Sequence, residues 1–564
     1  MPARRIKLSR TAAEGKRLGA CVATDEGYGR TTGAGTEGRA YNVRAVIRYD
    51  CAAMRLRLLE RVAEHAAARP RGVAVRQVDG TPTPHAILTY GELVVATRAV
   101  TSYLRTRLPA HGAVLLARPN TGDFHITFLA LLSLGRTVFP VPPDLAPTEL
   151  LTAARKSGAT AVIGTESSIE VLGRAVTVGI PVTDLAQITH PTSVAIAKPQ
   201  ADGGAPGFDE DRLSQIANRS ALLLQSSGTT GHPRIARRPG PTLDAVASNM
   251  ATAIELTSDD KVLAALPLCH SYGLEHGLLA PLWAGSAVHL MNRFDLNLVT
   301  TELANAPITV LPGVPFVYEA LARLAHDRKK FPNLRRAYSA GSPLPGVVFD
   351  AFHRTRGERV SQLYGATEVG SVTFNSPEFS PFDPHSVGLP MEEVSVVIID
   401  PLRLDVGQPL GVNVEGHVAI KAPSMFDGYV SDDPAEPPPP LMDGYFLTGD
   451  LGKLDRRGCL HITGRLKLLI DVGGLKVNPI EVEEVLMRHP DVGGAAVVGV
   501  KLSHTVSRLK AIVSPVPGRA MPSGEELRRY AKAHLSPHKV PRVFEVREEL
   551  PRSATGKVLR HLLG

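Results

Sequence analysis

The feature that most limits the fold of this chain is a long alternation of short apolar runs with amphipathic segments of helix length, from about residue 54 to 463. The apolar runs have the length of buried strands, for example 113–117, 221–225, 262–266 and 394–399. Strands that alternate with helices over such a length form mostly parallel sheets covered by helices. The sequence therefore predicts an α/β fold whose large N-terminal domain consists of mostly parallel sheets flanked by helices.

The pattern changes after residue 464, where a shorter and more mixed stretch begins. Pro479 is placed to open a helix, because proline is tolerated in the first helical turn, and acidic residues follow it. Strands are predicted at 495–500, 509–513 and 542–546, with a helix at 525–535. This stretch is therefore expected to form a separate α+β unit.

Domain organisation follows from these two patterns and from length, because 564 residues are too many for one compact core. Residues 1–53 are rich in Arg, Gly and Thr and lack periodicity, as expected of a disordered extension. The sequence thus predicts an extension at 1–53, an N-terminal domain at 54–464, and a small mobile C-terminal domain at 465–564.

Charge and cysteine usage limit the function classes. The formal net charge is +8, but residues 1–53 hold ten Lys or Arg and five Asp or Glu, so +5 of it lies there. The rest is near neutral, which argues against a nucleic-acid partner. No apolar run is long enough for stable membrane insertion. Four scattered cysteines favour a reducing compartment, and we expect a cytoplasmic protein.

Residues 226–234 form the most informative local motif, a loop of Ser, Thr and Gly that ends in Arg and directly follows the predicted strand 221–225. Such a loop can present backbone N–H groups and hydroxyls to a polyphosphate. It differs from the nucleotide-binding pattern with Gly-Lys-Ser/Thr, because its cation follows a proline. Alone, the pattern is equally typical of an ordinary Gly/Ser/Thr turn.

Further polar motifs lie near the ends of predicted strands, where α/β sheets bind ligands. They are PLCHSYG at 267–273, SAGSPL at 339–344, QLYGATE at 362–368, GYFLTGD at 444–450, GRLK at 464–467, GGLK at 473–476 and PRSATGK at 551–557. With the loop at 226–234 they follow the order and near spacing of one family. Over about residues 54–564 the chain resembles the acyl-adenylate-forming enzymes, most of all the acyl-CoA synthetases and aryl-CoA ligases.

The resemblance implies ATP-dependent activation of a small-molecule carboxylic acid as acyl-AMP with release of pyrophosphate, then transfer of the acyl group to coenzyme A. The alternative acceptor is the phosphopantetheine of a separate carrier protein. Elementary chemistry agrees, because a carboxylate is a poor electrophile and the adenylate supplies a leaving group. Catalysis is then largely positioning and neutralisation of phosphate charge.

The resemblance also assigns roles to individual residues. Lys557 would be the catalytic cation, Thr367 would donate to the α-phosphate, and Glu368 would bind Mg²⁺. Asp450 would accept hydrogen bonds from both ribose hydroxyls, and Arg465 would lie near the ribose. The β- and γ-phosphates would be held by Ser226, Ser227, Gly228, Thr229, Thr230, Gly231 and Arg234, and the adenine by Gly341, Ser342, Pro343, Tyr364 and Gly365.

The remaining implied roles concern the acid and the second half-reaction. His270 and Tyr272 would gate or line the acid pocket. Lys467 would be the hinge of the small domain, and Gly474 would line the channel for a pantetheine arm. No acidic residue precedes His270 in the window 268–272, so an α-amino acid is not the expected substrate, and fatty and aryl acids both stay open.

Two positions depart from the family pattern, and two other function classes stay open. Arg234 stands where the family usually has Lys, and Leu468 where an acidic residue often follows the hinge. One alternative is a catalytically inactive adenylate-binding protein, and another is a nucleic-acid-binding protein that uses the basic residues of 1–53. Singly, Asp450 could be a turn residue, Tyr364 and His270 core residues, and Lys557 a solvated lysine.

Overall fold

The computed structural model describes residues 56–79, 86–189, 219–226, 234–324, 331–430, 438–472, 475–501, 507–520, 522–553, 556 and 558–563. Residues 49–564 belong to one compact unit. The predicted extension at 1–53 lies outside the described residues. So do Ser227, Gly228, Thr229, Thr230 and Gly231 of the predicted phosphate loop, and Gly474 and Lys557.

The strands are numbered in chain order. Those of the first part are β1 Val73–Gln77, β2 Ile87–Thr89, β3 Ala113–Leu116, β4 Thr137–Pro140, β5 Ala159–Gly164, β6 Val178–Pro181, β7 Ala221–Gln225, β8 Ile235–Pro239, β9 Lys261–Ala264, β10 Ala287–Leu290, β11 Val310–Gly313, β12 Arg336–Ser339, β13 Val360–Ala366, β14 Gly370–Phe374 and β15 Leu389–Pro390. Those that follow are β16 Ser395–Ile399, β17 Gly416–Lys421, β18 Gly428–Val430, β19 Leu441–Met442, β20 Tyr445–Leu454, β21 Leu460–Arg465, β22 Ile470–Val472, β23 Leu475–Val477, β24 Val492–Lys501, β25 Ser507–Pro515 and β26 Val543–Val546.

The helices are numbered in the same way. They are α1 Arg57–Ala68, α2 Tyr90–Arg105, α3 Gly122–Ser133, α4 Pro147–Ser157, α5 Glu166–Leu172, α6 Val182–Thr189, α7 Gly240–Ala253, α8 Ser271–Leu274, α9 Ala280–Ala284, α10 Leu296–Asn305, α11 Pro315–Arg323, α12 Gly346–Arg356, α13 Pro479–Met487 and α14 Gly524–His534, with a π-helical turn Glu275–Leu279 between α8 and α9. Among these described helices, none is both long and apolar enough to cross a membrane.

Two large sheets form the core of the N-terminal domain. One has the order β15-β14-β13-β12-β11-β9-β10-β1-β2, and its strands from β13 to β1 are parallel. The other has the order β18-β8-β7-β4-β3-β5-β6, in which the strands from β7 to β6 are parallel. Helix α3 is buried along its whole length and contacts a strand of each sheet, as an all-round apolar helix must. The predicted fold class is confirmed.

The smaller units complete the chain. A third sheet contains β16, β17, β20 and β19, with β21 paired to β20. In the C-terminal domain β24 pairs antiparallel with β25, which pairs parallel with β26, and α13 and α14 cover one core with them. The helix predicted at Pro479 and the three predicted strands are confirmed to within a few residues.

Candidate active site

Most predicted site residues that the structure describes lie after or at the carboxyl ends of strands. Gly341, Ser342 and Pro343 follow β12, Tyr364 and Gly365 end β13, and the loop at 226–234 follows β7. Thr367 and Glu368 occupy the turn from β13 to β14. The strands β12 and β13 are parallel neighbours that end at the same edge of one sheet, which brings their two motifs together, whereas β7 belongs to the other large sheet.

The turn that carries Thr367 and Glu368 is tight. A Cβ atom added to Gly365 would lie 2.3 Å from the carbonyl oxygen of Gly370, so only glycine fits at this point of the antiparallel pair β13 and β14. Gly370 itself has φ +70°, which favours glycine as well. Two glycines therefore fix the backbone of the turn and with it the positions of the side chains at 367 and 368.

Glu368 is held by residues from two other segments. Its carbonyl accepts from the Phe426 N–H group (2.7 Å), and its Oε1 accepts from the Tyr429 hydroxyl (2.8 Å). The guanidinium carbon of Arg234 lies 4.9 Å from the centre of the Tyr429 ring. Burial and the charge of Glu368 raise the pKa of Tyr429, which keeps the phenol a donor. The structure thus brings Glu368 and Arg234 together on Tyr429, a residue that sequence reasoning missed.

The two ends of the predicted phosphate loop are hydrogen-bonded to each other. The Ser226 N–H donates to the carbonyl of Arg234 (2.8 Å), and the Arg234 N–H donates to the Ser226 hydroxyl (3.2 Å). Ser226 follows β7 and Arg234 precedes β8, and these strands pair antiparallel. Ser226 and Arg234, the two ends of the predicted phosphate loop, are therefore held at one place on the sheet.

Asp450 is buried and both of its carboxylate oxygens are engaged. Oδ2 accepts from the Tyr364 hydroxyl and Oδ1 from Nε of Arg465, each at 2.5 Å. The Arg465 contact follows from register, because Asp450 on β20 faces Arg465 on β21. Burial and the Asp450 charge raise the pKa of Tyr364. The pKa of Arg465 is raised as well: burial acts to lower it, but the negative charge of Asp450 outweighs the effect of burial.

His417 is a second residue that sequence reasoning missed. Its Nε2 accepts from the N–H of Gly449, next to Asp450 (2.9 Å), and burial lowers the pKa of its imidazole. Neither His417 nor Tyr429 lies in a motif that predicted the site. The signal that could have found Tyr429 is the pair of aromatic residues Phe426 and Tyr429, which comes shortly after the end of β17.

The predicted acid-pocket residues lie at the start of a helical segment. His270 precedes α8, and Tyr272 lies within it. The Tyr272 hydroxyl donates to the carbonyls of Gly313 (3.1 Å) and Tyr338 (3.3 Å), and its ring centre is 4.6 Å from that of His276. The segment thus packs against the ends of β11 and β12, beside Gly341.

The C-terminal end of the chain reaches the same region. A Cβ atom added to Gly556 would lie 3.3 Å from Cβ of Phe316 and 3.7 Å from Cγ2 of Val314. Val314 also lies within 3.6 Å of the Cβ position of Gly341. The residue before Lys557 is therefore next to a predicted adenine-binding loop. Lys467 lies in a short 3₁₀ turn, Leu466–Leu468, directly after Arg465.

Comparisons with known proteins agree along most of the chain. Residues 62–430 match the family model described as AMP-binding enzyme, and residues 481–557 match the model for the AMP-binding enzyme C-terminal domain. An oxalate–CoA ligase of Arabidopsis thaliana is 28% identical over 465 residues, 80% of this chain and 87% of the relative. A 4-coumarate–CoA ligase of rice is 28% identical over 492 residues, 84% and 86% of the two chains.

Solved structures show the same likeness. ATP-bound MatB from Rhodopseudomonas palustris superposes with a TM-score of 0.78 at 25% identity, over 90% of this chain and 98% of MatB. The apo form of MatB superposes over the same shares of the two chains, also at 25% identity, with a TM-score of 0.70. The similarity therefore extends through both domains.

Proposed function

Because this chain belongs to the AMP-binding enzyme family and is an AMP-forming acid–CoA ligase, we propose that the residues gathered around Glu368 and Asp450 carry out its chemistry. The enzyme activates a carboxylic acid with ATP as acyl-AMP and then forms the coenzyme A thioester. The relatives, which are named as CoA ligases, do not favour the alternative of a carrier-protein acceptor.

One observation carries this assignment: two carboxylates lie in one region, and each accepts a hydrogen bond from a tyrosine and has an arginine nearby. Glu368 has Tyr429 and Arg234, and Asp450 has Tyr364 and Arg465. Tyr364, which donates to Asp450, lies on β13, and Glu368 lies in the turn directly after that strand. A site that binds a polyphosphate and a ribose needs cations beside the phosphates and a hydrogen-bond acceptor beside the ribose hydroxyls, and the two arginines and Asp450 supply both.

The residues fit Mg²⁺ and ATP. Mg²⁺ is bound in such sites through one or two carboxylates together with substrate phosphates, and Glu368 is a half-buried carboxylate on a rigid turn. Bound Mg²⁺ would neutralise phosphate charge. Glu368 would hold the ion. Arg234 and the loop at 226–231 would bind the outer phosphates, and Thr367 would bind the α-phosphate.

The nucleoside end is assigned to the residues around Asp450. Asp450 would accept hydrogen bonds from the ribose hydroxyls. It would have to give up its present bond from Tyr364 to do so, while Arg465 would stay beside it. Tyr364 and the loop 341–343 would enclose the adenine. The proximity of Gly556 to Val314 supports placing Lys557 at the reacting carboxylate in the first half-reaction.

The test is pyrophosphate release with ATP and Mg²⁺ over a panel of fatty, aryl, dicarboxylic and α-amino acids, with and without coenzyme A, each product being read by mass spectrometry. We expect an acyl-CoA from one acid class and no product from α-amino acids. Glu368→Gln keeps the side-chain size but removes the charge, and is expected to abolish the Mg²⁺-dependent signal. Acyl-AMP that never reaches coenzyme A would contradict the proposed acceptor, and silence across the panel would contradict the function.

Two finer expectations accompany the proposal. The scarcity of cysteine motifs supports a cytoplasmic location, which cell fractionation would test. The near-neutral charge of residues 54–564 supports the absence of a nucleic-acid partner. Retention on heparin, compared between the full chain and a chain lacking residues 1–53, would test the latter.

A further inference from the structure

The described residues on either side of the predicted catalytic lysine pair with each other. The Leu559 N–H donates to the carbonyl of Pro551 (2.8 Å), and Arg552 forms an antiparallel bridge with Val558. We call residues 551–559 the terminal hairpin. In sequence the lysine lies between the two bridged residues, so these bonds hold together the two arms that carry it.

The tip of the terminal hairpin reaches the N-terminal domain. Nη1 of Arg552 donates to the carbonyl of Gly556 (2.9 Å). A Cβ atom added to Gly556 would lie 3.3 Å from Cβ of Phe316, on α11 of the N-terminal domain. Gly556 and Val558 are the neighbours of Lys557 along the chain, so the position of the hairpin decides where the lysine is presented.

The base of the terminal hairpin is tied to the C-terminal domain by an ion pair. Directly after the hairpin, Arg560 begins the 3₁₀ turn Arg560–Leu562. Its Nη2 donates to Oε2 of Glu483 (2.8 Å), and its Nη1 donates to Oε1 of the same carboxylate. A planar guanidinium that bonds both oxygens of a carboxylate fixes direction as well as distance. The base of the hairpin therefore has a defined position relative to helix α13, which carries Glu483.

Glu483 is itself held by the core of the small domain. It is 6% exposed, and its Oε1 also accepts from the Val497 N–H on β24 (2.6 Å). Its helix neighbours Val482 and Leu486 belong with Val497 to the apolar core under α13 and β24. The carboxylate is thus fixed by two packed elements, and the terminal hairpin is the part whose position depends on the ion pair.

The energetics of such a pair favour a positioning role. Burial raises the pKa of Glu483, and the hydrogen bonds and charge of Arg560 act against that shift. A buried ion pair adds little net stability over apolar packing of the same volume, whereas removal of one partner leaves an uncompensated buried charge. The best-attested use of such a pair is to specify one arrangement. Here it specifies the arrangement of the segment that directly follows Val558.

Resting on the proposed function, we infer that Arg560 and Glu483 are positioning residues for the first half-reaction, because their ion pair holds the terminal hairpin so that Lys557 is presented to the reacting carboxylate. Neither residue contacts the substrate in this role. Thioester formation from acyl-AMP does not need the charge of Lys557. Loss of the ion pair therefore acts on adenylation and leaves the second half-reaction nearly unchanged.

Arg560→Gln tests this role, because it removes the cation and keeps a polar side chain. Acyl-AMP formation is measured by pyrophosphate release with ATP, Mg²⁺ and an accepted acid, and thioester formation by acyl-CoA yield from supplied acyl-AMP. A misplacement of about 1 Å can cost about 10²-fold in rate, so we expect the first rate to fall by about 10- to 100-fold and the second to change by less than about twofold. An equal loss in both half-reactions, or no loss in either, would overturn the inference.

Combination with Lys557→Ala separates positioning from a general effect on the fold. Because Arg560 acts through Lys557, adding Arg560→Gln to Lys557→Ala should lower acyl-AMP formation no further. Two independent effects would instead multiply, and a double variant whose loss is the product of the two single losses would overturn the inference.

Glu483→Gln tests the same ion pair from the other side. The amide keeps the size and an oxygen for the Val497 N–H, removes the charge, and should give the same split between the half-reactions. Arg560→Lys keeps the charge without the planar fork and should lose less than Arg560→Gln. Lys539→Gln is the matched control, because Lys539 pairs with Glu481 on the same helix (2.6 and 2.8 Å), and it should leave both rates unchanged. The same split in Lys539→Gln would overturn the assignment.

The two proposals fail in different ways. If the wild-type enzyme releases no pyrophosphate with any acid of the panel, the proposed function itself is contradicted. If the wild type forms acyl-AMP and the variants keep or lose both half-reactions together, the function stands and the inference falls. Where Arg560→Gln does not fold, Glu483→Gln and Arg560→Lys carry the same test.

Discussion

Tyr429 shows how a single side chain outside the motifs can position a motif residue. Its hydroxyl donates to Glu368 at 2.8 Å, and its ring lies under Arg234. Groups that orient a metal-binding carboxylate commonly affect metal affinity by about 10- to 100-fold. We therefore expect Tyr429→Phe, which keeps the ring, to raise the Mg²⁺ concentration for half-maximal pyrophosphate release about tenfold. Tyr103→Phe is the control, because Tyr103 lies on α2 and its hydroxyl donates to Asp184. An unchanged Mg²⁺ dependence in Tyr429→Phe would remove this role.

Lys557 is the other residue whose role can be separated by experiment. If it is the cation that acts on the reacting carboxylate, Lys557→Ala should lower acyl-AMP formation by about 10²–10³, as loss of a preorganised donor does. Thioester formation from supplied acyl-AMP should stay nearly intact, because it does not need that charge. The two half-reactions are measured separately by pyrophosphate release and by acyl-CoA yield. An equal loss in both would contradict the assignment.

At the scale of elements, Asp260 ties together the amino ends of three parallel strands. Its oxygens accept from Thr309 before β11 (2.7 Å), from Arg335 before β12 (2.7 and 2.8 Å) and from the Thr257 N–H before β9 (2.8 Å). Burial acts to raise its pKa, but Arg335 and the hydrogen bonds lower the pKa to about 2.

This arrangement predicts a pH dependence of stability. A carboxylate whose pKa is lower in the folded state stabilises the protein above its unfolded pKa of about 4 and loses that contribution as pH falls toward about 2. Asp260→Asn should therefore reduce the free energy of unfolding near neutral pH, by about 1–3 kcal/mol. It should also flatten the stability profile between about pH 4 and 2, measured by urea unfolding. A variant profile parallel to the wild type would contradict this.

The sequence predicted best those elements whose residues are nearly all buried in the same apolar environment. The run 221–225 appears as strand β7 with the same bounds, because an apolar run in a parallel sheet is buried on both faces. Tyr429 and the Arg238–Glu275 pair could not be predicted, because their partners lie 61 and 37 residues away and depend on strand order. Arg238 also reads as exposed in sequence, within a run of arginines, yet is fully buried.

At the scale of the molecule, the proposed site includes residues of both domains. Gly556 of the C-terminal domain lies against Val314 and Phe316 of the N-terminal domain, whereas Gly474, the predicted channel residue, belongs to another sequence motif, GGLK at 473–476. One motif would thus serve the first half-reaction and the other motif the second. The turn at Leu466–Leu468 directly follows the Asp450–Arg465 contact, and it contains the predicted junction of the two domains.

Gly474→Leu tests this division directly. If residue 474 lines the channel for the pantetheine arm, a leucine side chain would block the thiol but leave the adenylation residues in place. Acyl-AMP formation should stay near the wild-type rate while acyl-CoA formation falls by about 10² or more, the reverse of the pattern expected for Lys557→Ala. Single-turnover measurement of both products in the two variants gives the comparison. Because opposite losses cannot come from a general loss of folding, they would show that the half-reactions use different loops; survival of both reactions in Gly474→Leu would place the channel elsewhere.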